Sequence, residues 1–241
     1  MTEEAALLRI DEPDLSGLPR AELRAMLAAG EEVAECHRVL ARGGLNVVGE
    51  VLRGQGQFIR LNHYPKGDVY DRDSHAQYYY HAHRGGEHGH FHTFLRAAGM
   101  PPGVRPAPEN AGRDWPSGEK ALAHIVAISM DKRGFPTRMF TTNRWVTGET
   151  WYAAEDVVAM IDRFEIDHAN PSWPTNRWIT AMMRLFRPQV KALVLARDAV
   201  IAGRRQQYPE RDTLDDRTFE TVTEIDIDPK AQTDRIRAAL G

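Results

Sequence analysis

The first sustained apolar pattern follows Pro19, where Leu23, Met26, Leu27, Val33, His37 and Leu40 recur at three-, four- or six-residue spacing before the pair Gly43-Gly44. Apolar positions spaced this way line one side of a helix, and adjacent glycines end it. Asn46 to Arg53 reads as a second, short helix ended at Gly54. From Gln57 to His63 the period drops to two, which predicts a strand leading into a turn at Pro65-Lys66-Gly67-Asp68. A turn at Asp71 to Ser74 introduces Ala76 to Leu95, read as two short strands around Gly85-Gly86. After a loop rich in proline and glycine, Met100 to Gly118, the hairpin pattern returns as LAHIVAISM, a turn at Asp131-Lys132-Arg133-Gly134, and PTRMFTT.

Helical spacing resumes over Glu155 to Phe164 and again over Thr180 to Arg204, where Pro188 should start or kink a helix, and Gly203 and Pro209 close the segment. Phe219 to Asp228 alternates as a strand, and a short helix completes the chain. These elements predict one α+β domain over residues 1–241: helices in 19–54, a histidine-rich antiparallel sheet in 57–150, then helices plus a final strand in 151–241. The sheet should have about five strands and be barrel-like.

Composition narrows the function. The apolar fraction is 42% and the charged fraction 27%, ordinary for a chain with a packed core. Lysine and arginine number 31 against 34 acidic residues, a net charge of −3, so no basic field points to nucleic acid. The single Cys36 cannot close an intramolecular disulfide, the start carries Glu3, Glu4, Asp11, Glu12 and Asp14 rather than a basic leader, and no apolar run approaches the roughly 18 residues that span a bilayer. The expectation is a soluble, cytoplasmic protein without nucleic-acid or membrane partners, its oligomeric state open. Cys36 reads as a small buried hydrophobe on the first helix.

Histidine departs from the ordinary: ten residues, seven of them between His63 and His92. Imidazole is the commonest protein metal ligand, and most of these histidines fall in Tyr78–Phe94, YYYHAHRGGEHGHFHTF. If Gly86-Glu87 forms the turn, His83 lies opposite His90 and His81 opposite His92. Alternation then puts all four imidazoles on one face, with opposing Cβ atoms about 4.5–5.5 Å apart, a spacing suited to one shared ion. A third strand adds His124, expected to share a face with Val126 and Ile128, while His63 and His75 remain candidates from the preceding segment. Glu87, near the tip, is a candidate fourth ligand or general base; Tyr79, on the histidine face, is a candidate substrate-positioning or proton-donating group. Arg84 is a further candidate beside the site.

The run His81-Ala-His83-Arg-Gly-Gly-Glu87 resembles the first metal motif of the cupins, HxHxxxE, in which two histidines and a glutamate ligate a metal inside a β-barrel. The resemblance covers those seven residues. His-x-His on one strand beside a histidine on its neighbour also looks like the zinc site of the α-carbonic anhydrases. Both are likenesses of local geometry, which do not transfer a reaction.

A second motif is the repeat Thr142-Asn-Arg-Trp145-Val-Thr147 and Thr175-Asn-Arg-Trp178-Ile-Thr180. Arg144 with Asn143 is a candidate clamp for a substrate carboxylate or phosphate. Trp178 reads instead as a core anchor, with Thr175 as a helix cap.

The leading expectation is a metal-dependent enzyme acting on a small molecule, an oxygenase or a hydrolase or hydratase. One divalent transition ion (Fe, Zn, Cu, Ni or Mn) would be held among His81, His83, His90, His92 and His124. A non-catalytic metal-binding, storage or sensing protein is the alternative. A metal-free binder of anions, using Arg84 and Arg144, is the third.

Overall fold

A computed structural model describes residues 7–241; the acidic Glu3 and Glu4 of the start lie outside the described residues. The strands β1 (Leu8–Arg9), β2 (Tyr64–Tyr70), β3 (Ala76–His81), β4 (Gly89–Arg96), β5 (Leu122–Met130), β6 (Pro136–Thr142) and β7 (Thr221–Asp226) form one sheet in the order β1-β7-β6-β5-β4-β3-β2. Every pairing is antiparallel except β1 with β7, which is parallel. Among the described residues the sheet is therefore mixed, has seven strands rather than about five, and is open at both edges instead of barrel-like. Two residues of β1 are too short to leave a periodic trace in sequence.

The two predicted hairpins form as β3–β4 and β5–β6. The strand expected at Gln57 to His63 does not: that stretch is irregular, and β2 begins at Tyr64, where a turn was expected. The turn chemistry is real but sits inside the strand, since Gly67 and Asp68 both adopt positive φ and the β2–β3 register shifts between Tyr64 and Val69.

Helices α1 (Arg20–Arg42), α2 (Val47–Leu52), α3 (Arg144–Thr147), α4 (Ala154–Ile161), α5 (Trp173–Leu185), α6 (Arg187–Gln207) and α7 (Pro229–Leu240) supply the rest. Pro188 lies in the first turn of α6, where its missing N–H costs nothing, and Phe186 separates α6 from α5. Ser172, not Thr175, is the residue before α5, because Trp173 and Pro174 already belong to it. Cys36 is 7% exposed, and burial pushes its thiol up to about 11, so it packs as a small apolar group.

The sheet has two unlike faces. Tyr78 and Tyr80 of β3, Phe91 of β4, and Val126 and Ile128 of β5 join the helical core around Trp178. The alternating positions Tyr79, His81, His90, His92 and Phe140 turn the other way, as the period of a strand requires. Cross-strand contacts tie core to helix: Tyr78 donates its hydroxyl proton to Asn176 Oδ1 at 2.6 Å, and Asn176 Nδ2 donates to the carbonyls of His168 and Asn170. Tyr78→Phe removes the donor from a buried acceptor, and we expect unfolding free energy to fall by about 1–3 kcal/mol in urea titrations; an unchanged midpoint would show that the bond contributes nothing.

Candidate metal centre

The β3–β4 register pairs His81 with His90 and Tyr79 with His92, two residues away from the expected pairing of His83 with His90 and His81 with His92. The reason is the connection: Ala82 to His88 forms a wide loop in place of a two-residue turn. A shift by two preserves which face each residue takes, so the histidines still converge. His81, His90 and His92 are all buried, and one ligand nitrogen from each lies within 4.8 Å of the others.

Within the triad His81 Nε2 and His90 Nε2 are 2.8 Å apart. In a tetrahedral site with metal–nitrogen bonds of about 2.0–2.1 Å, neighbouring donor atoms stand about 3.3 Å apart, so a small outward shift accommodates an ion. His90 Nδ1 meets Glu87 Oε1 at 2.5 Å, which makes Nδ1 the donor and turns the Nε2 lone pair toward His81. His92 Nδ1 lies 2.9 Å from His124 Nε2, and His124 Nδ1 lies 3.5 Å from Thr142 Oγ1. Both rings are satisfied when His124 carries its proton on Nδ1 and His92 donates from Nδ1. His92 Nε2 is then a bare lone pair, buried and without a hydrogen-bond partner among the described residues.

Burial governs the protonation. It pulls His81 down to about 2 and His124 to about 3, and holds His92 well below the ordinary imidazole value, with the neighbouring imidazoles adding to the effect. Neutral imidazole is the form that binds a metal. Burial pushes the Glu87 carboxyl up, but the bond and charge of His90, the hydrogen bond from Ser129 and the charge of Arg84 outweigh it and leave it below the usual range.

The other expected site residues lie at differing distances from the triad. His83 is half-buried at the margin, its ring 4.9 Å from that of His81 and 5.0 Å from that of His90, with Nδ1 3.7 Å from Glu220. His124 stands behind His92 on the triad's face, because Ile125 is an extra residue that turns it away from Val126 and Ile128, with which it was expected to align. Tyr79 forms a wall, stacked on His63 at 3.6 Å and edge-on to His81 at 5.2 Å, its hydroxyl raised by burial and by Asp68. His75 is engaged elsewhere, with Tyr70.

Asn143 and Arg144 have their polar groups committed to the fold. Asn143 caps α3 and donates to Thr213 O, while Arg144 donates to Glu149 O, pairs with Asp215 at 3.2 Å and lies 4.0 Å over Trp115. The second copy of the motif is structural too, with Trp178 Nε1 donating to His37. Sequence reasoning missed Ser129 and Phe140 on the histidine face, and Glu149. Ser129, the one hydroxyl in an apolar strand, was the available signal. Glu149 is buried, accepts from the His124 backbone N–H at 2.6 Å, and is pushed up to about 7 by burial against the pull of Arg197.

A family model described as a domain of unknown function, DUF6969, matches residues 27–227. The chain belongs to the DUF6969 family. No curated protein and no solved structure matches it. The cupin likeness goes no further than spacing: no cupin family is matched, the DUF6969 sheet is open, and Glu87 bonds His90 while His83 lies outside the triad. No helix among the described residues is long and apolar enough to cross a membrane.

Acidity tests the electrostatics of the metal-free protein. His81 and His124 titrate near 2 and 3 when folded against an ordinary 6.5, and His92 is also depressed, so the unfolded chain takes up protons that the folded one refuses. Their stabilisation is complete above about 6.5 and is lost as pH falls below it. Glu149 acts oppositely, because its folded value of about 7 exceeds the ordinary 4.5 and folding gains a proton between them. With three histidines against one glutamate, acidification from about pH 6.5 to about 5 should lower unfolding free energy by about 3–4 kcal/mol in the presence of chelator. A flat urea-stability profile over that window would contradict the burial of neutral imidazoles.

Proposed function

We propose that this DUF6969 protein is a metal-dependent enzyme in which His81, His90 and His92 hold one divalent transition ion and leave a coordination position open to a small-molecule substrate. The observation that carries the reading is the convergence of three buried imidazole nitrogens within 4.8 Å, one of them with no partner of its own. The hydrogen bonds behind the triad support it. Glu87 fixes the His90 ring and His124 fixes the His92 ring, the arrangement by which metal-binding imidazoles are oriented and made more basic.

The donor set bears on the reaction class. An iron site of the two-histidine, one-carboxylate type needs a carboxylate on the metal, whereas Glu87 is spent on His90. Three neutral ligands leave the ion its full charge, so when bound it supplies Lewis acidity and draws the pKa of a water in its open position toward about 7. The protein's part is to keep His81 and His92 neutral by burial and all three rings oriented, to hold the site under Tyr79 and His63, and to confine Glu87 to orienting His90. This favours hydrolysis or hydration over dioxygen chemistry.

The complete burial of His90 and His92 also favours a second reading, a closed site for metal storage or sensing. Elemental analysis after loading should find about one equivalent of ion in the native protein and none in a His81→Ala/His90→Ala double variant. Glu87→Gln should keep the stoichiometry but weaken affinity roughly 10–100-fold. A Co(II) spectrum that responds to azide indicates the open position; an unresponsive one transfers support to storage or sensing. Failure of the native protein to take up any divalent ion would leave the metal-free anion-binding reading in its place.

A further inference from the structure

Helix α1 carries the charges of its outer face in blocks. Glu31, Glu35, Arg38 and Arg42 are all exposed and follow one another at helical spacing along a single stripe, two acids and then two bases. The order is not an answer to the helix macrodipole, which acts within the first and last turns, because Glu31 and Glu35 lie well inside Arg20–Arg42. Nor does it favour the helix alone: Glu31 with Glu35, and Arg38 with Arg42, are like charges one turn apart, which repel. Within the chain Glu35 is met by Arg38 at 2.6 and 2.5 Å, and Glu31 by Arg237 at 3.5 Å. Exposed pairs of this kind contribute little and exchange partners at small cost.

The charged stripe forms a ridge between two apolar grooves. One, of about 580 Å³, runs between α1 and α7 past Ala34, His37 and Phe135; the other, of about 490 Å³, runs between α1 and α5 past Cys36, Val39 and Trp173. Val39, Phe135 and Trp173 are exposed. The two rings are nevertheless held in place, Phe135 stacked on His37 at 5.1 Å and Trp173 lying 5.2 Å beneath the Arg177 guanidinium. Ordered aromatic rings beside apolar grooves are the anchor type that carries binding energy between proteins.

We infer that two copies of this chain associate through α1, antiparallel about a two-fold axis beside the point between Cys36 and His37. Residues equally far from that point on opposite sides come level across such an interface. Glu35 then faces the partner's Arg38 and Glu31 the partner's Arg42, and each pair occurs twice. Charge selects this occupant, since a parallel copy would set acid against acid and a partner of one sign would be repelled by half of the ridge. The two-fold also keeps each groove on its own side of the ridge, so that the Val39 and Trp173 edge of one copy meets the same edge of the other. The histidine triad takes no part, and the inference does not rest on the metal reading.

The test is sedimentation velocity of the full chain over a concentration series, with chelator present so that no metal bridges surface histidines. The native chain should dimerise, and more weakly as salt is raised. Glu35→Arg sets like charges against each other at two places and should raise the dimer dissociation constant roughly tenfold or more, and Arg38→Glu should do the same. The combined Glu35→Arg/Arg38→Glu variant reverses both partners and should return the constant to within about threefold of native. Trp173→Ala, which removes an apolar anchor and no charge, should weaken the dimer at every salt concentration. An unchanged circular dichroism spectrum shows that each variant folds. A native chain that stays monomeric throughout overturns the inference and leaves the grooves to a different protein. A dimer whose constant neither single reversal moves overturns it as well, and so does a combined variant as weak as the single ones.

Discussion

Burial disfavours the charged form of an imidazole, and a neutral imidazole has one donor and one acceptor to satisfy. The histidine face of this sheet is organised by that requirement. His90 spends its donor on Glu87, His92 on His124, and His124 on Thr142, so each outer group decides which nitrogen of the next ring points inward. What remains at the centre is a set of nitrogens facing one another, the condition for sharing an ion. With His90 Nε2 accepting, the 2.8 Å contact puts the remaining inward proton on His81 Nε2, and an ion takes that proton's place when His81 adopts its other tautomer.

The sheet meets the requirement by dividing its labour between faces. Tyr78, Tyr80 and Phe91 pack into the helical core with Trp178, which anchors the backbones of β3 and β4, and alternation then fixes the opposite positions, including His81, His90 and His92. The bulge at Ile125 adds the exception that brings His124 across. The precision of the polar side therefore derives from the apolar side, since slippage by one residue would send every histidine into the core.

How much of this was legible follows from the same physics. Periodicity identified α1, both hairpins, β7 and the restart of a helix at Pro188, because each repeats a pattern over several turns or pleats. The clustering of histidines was legible as well, since alternation fixes faces whatever the register. The register was not, because Gly85-Gly86 announces a turn without giving its width, and the loop from Ala82 to His88 displaced the pairing by two. Nor were the roles of Glu87 and His124, which depend on where a side chain reaches after the loop and the bulge are in place. Asn143 and Arg144 looked like a clamp because guanidinium and amide suit anions, yet the same groups suit backbone carbonyls and an aromatic face, and the fold used them there.

The central claim is that three imidazoles, no more and no fewer, face a single ion with room left for another ligand. X-ray absorption on the zinc-loaded protein counts those ligands directly. The account predicts three imidazole nitrogens at about 2.0–2.1 Å with one further light atom completing the shell. A shell of four imidazoles, a carboxylate from Glu87 on the metal, or zinc spread over unrelated surface positions would contradict it.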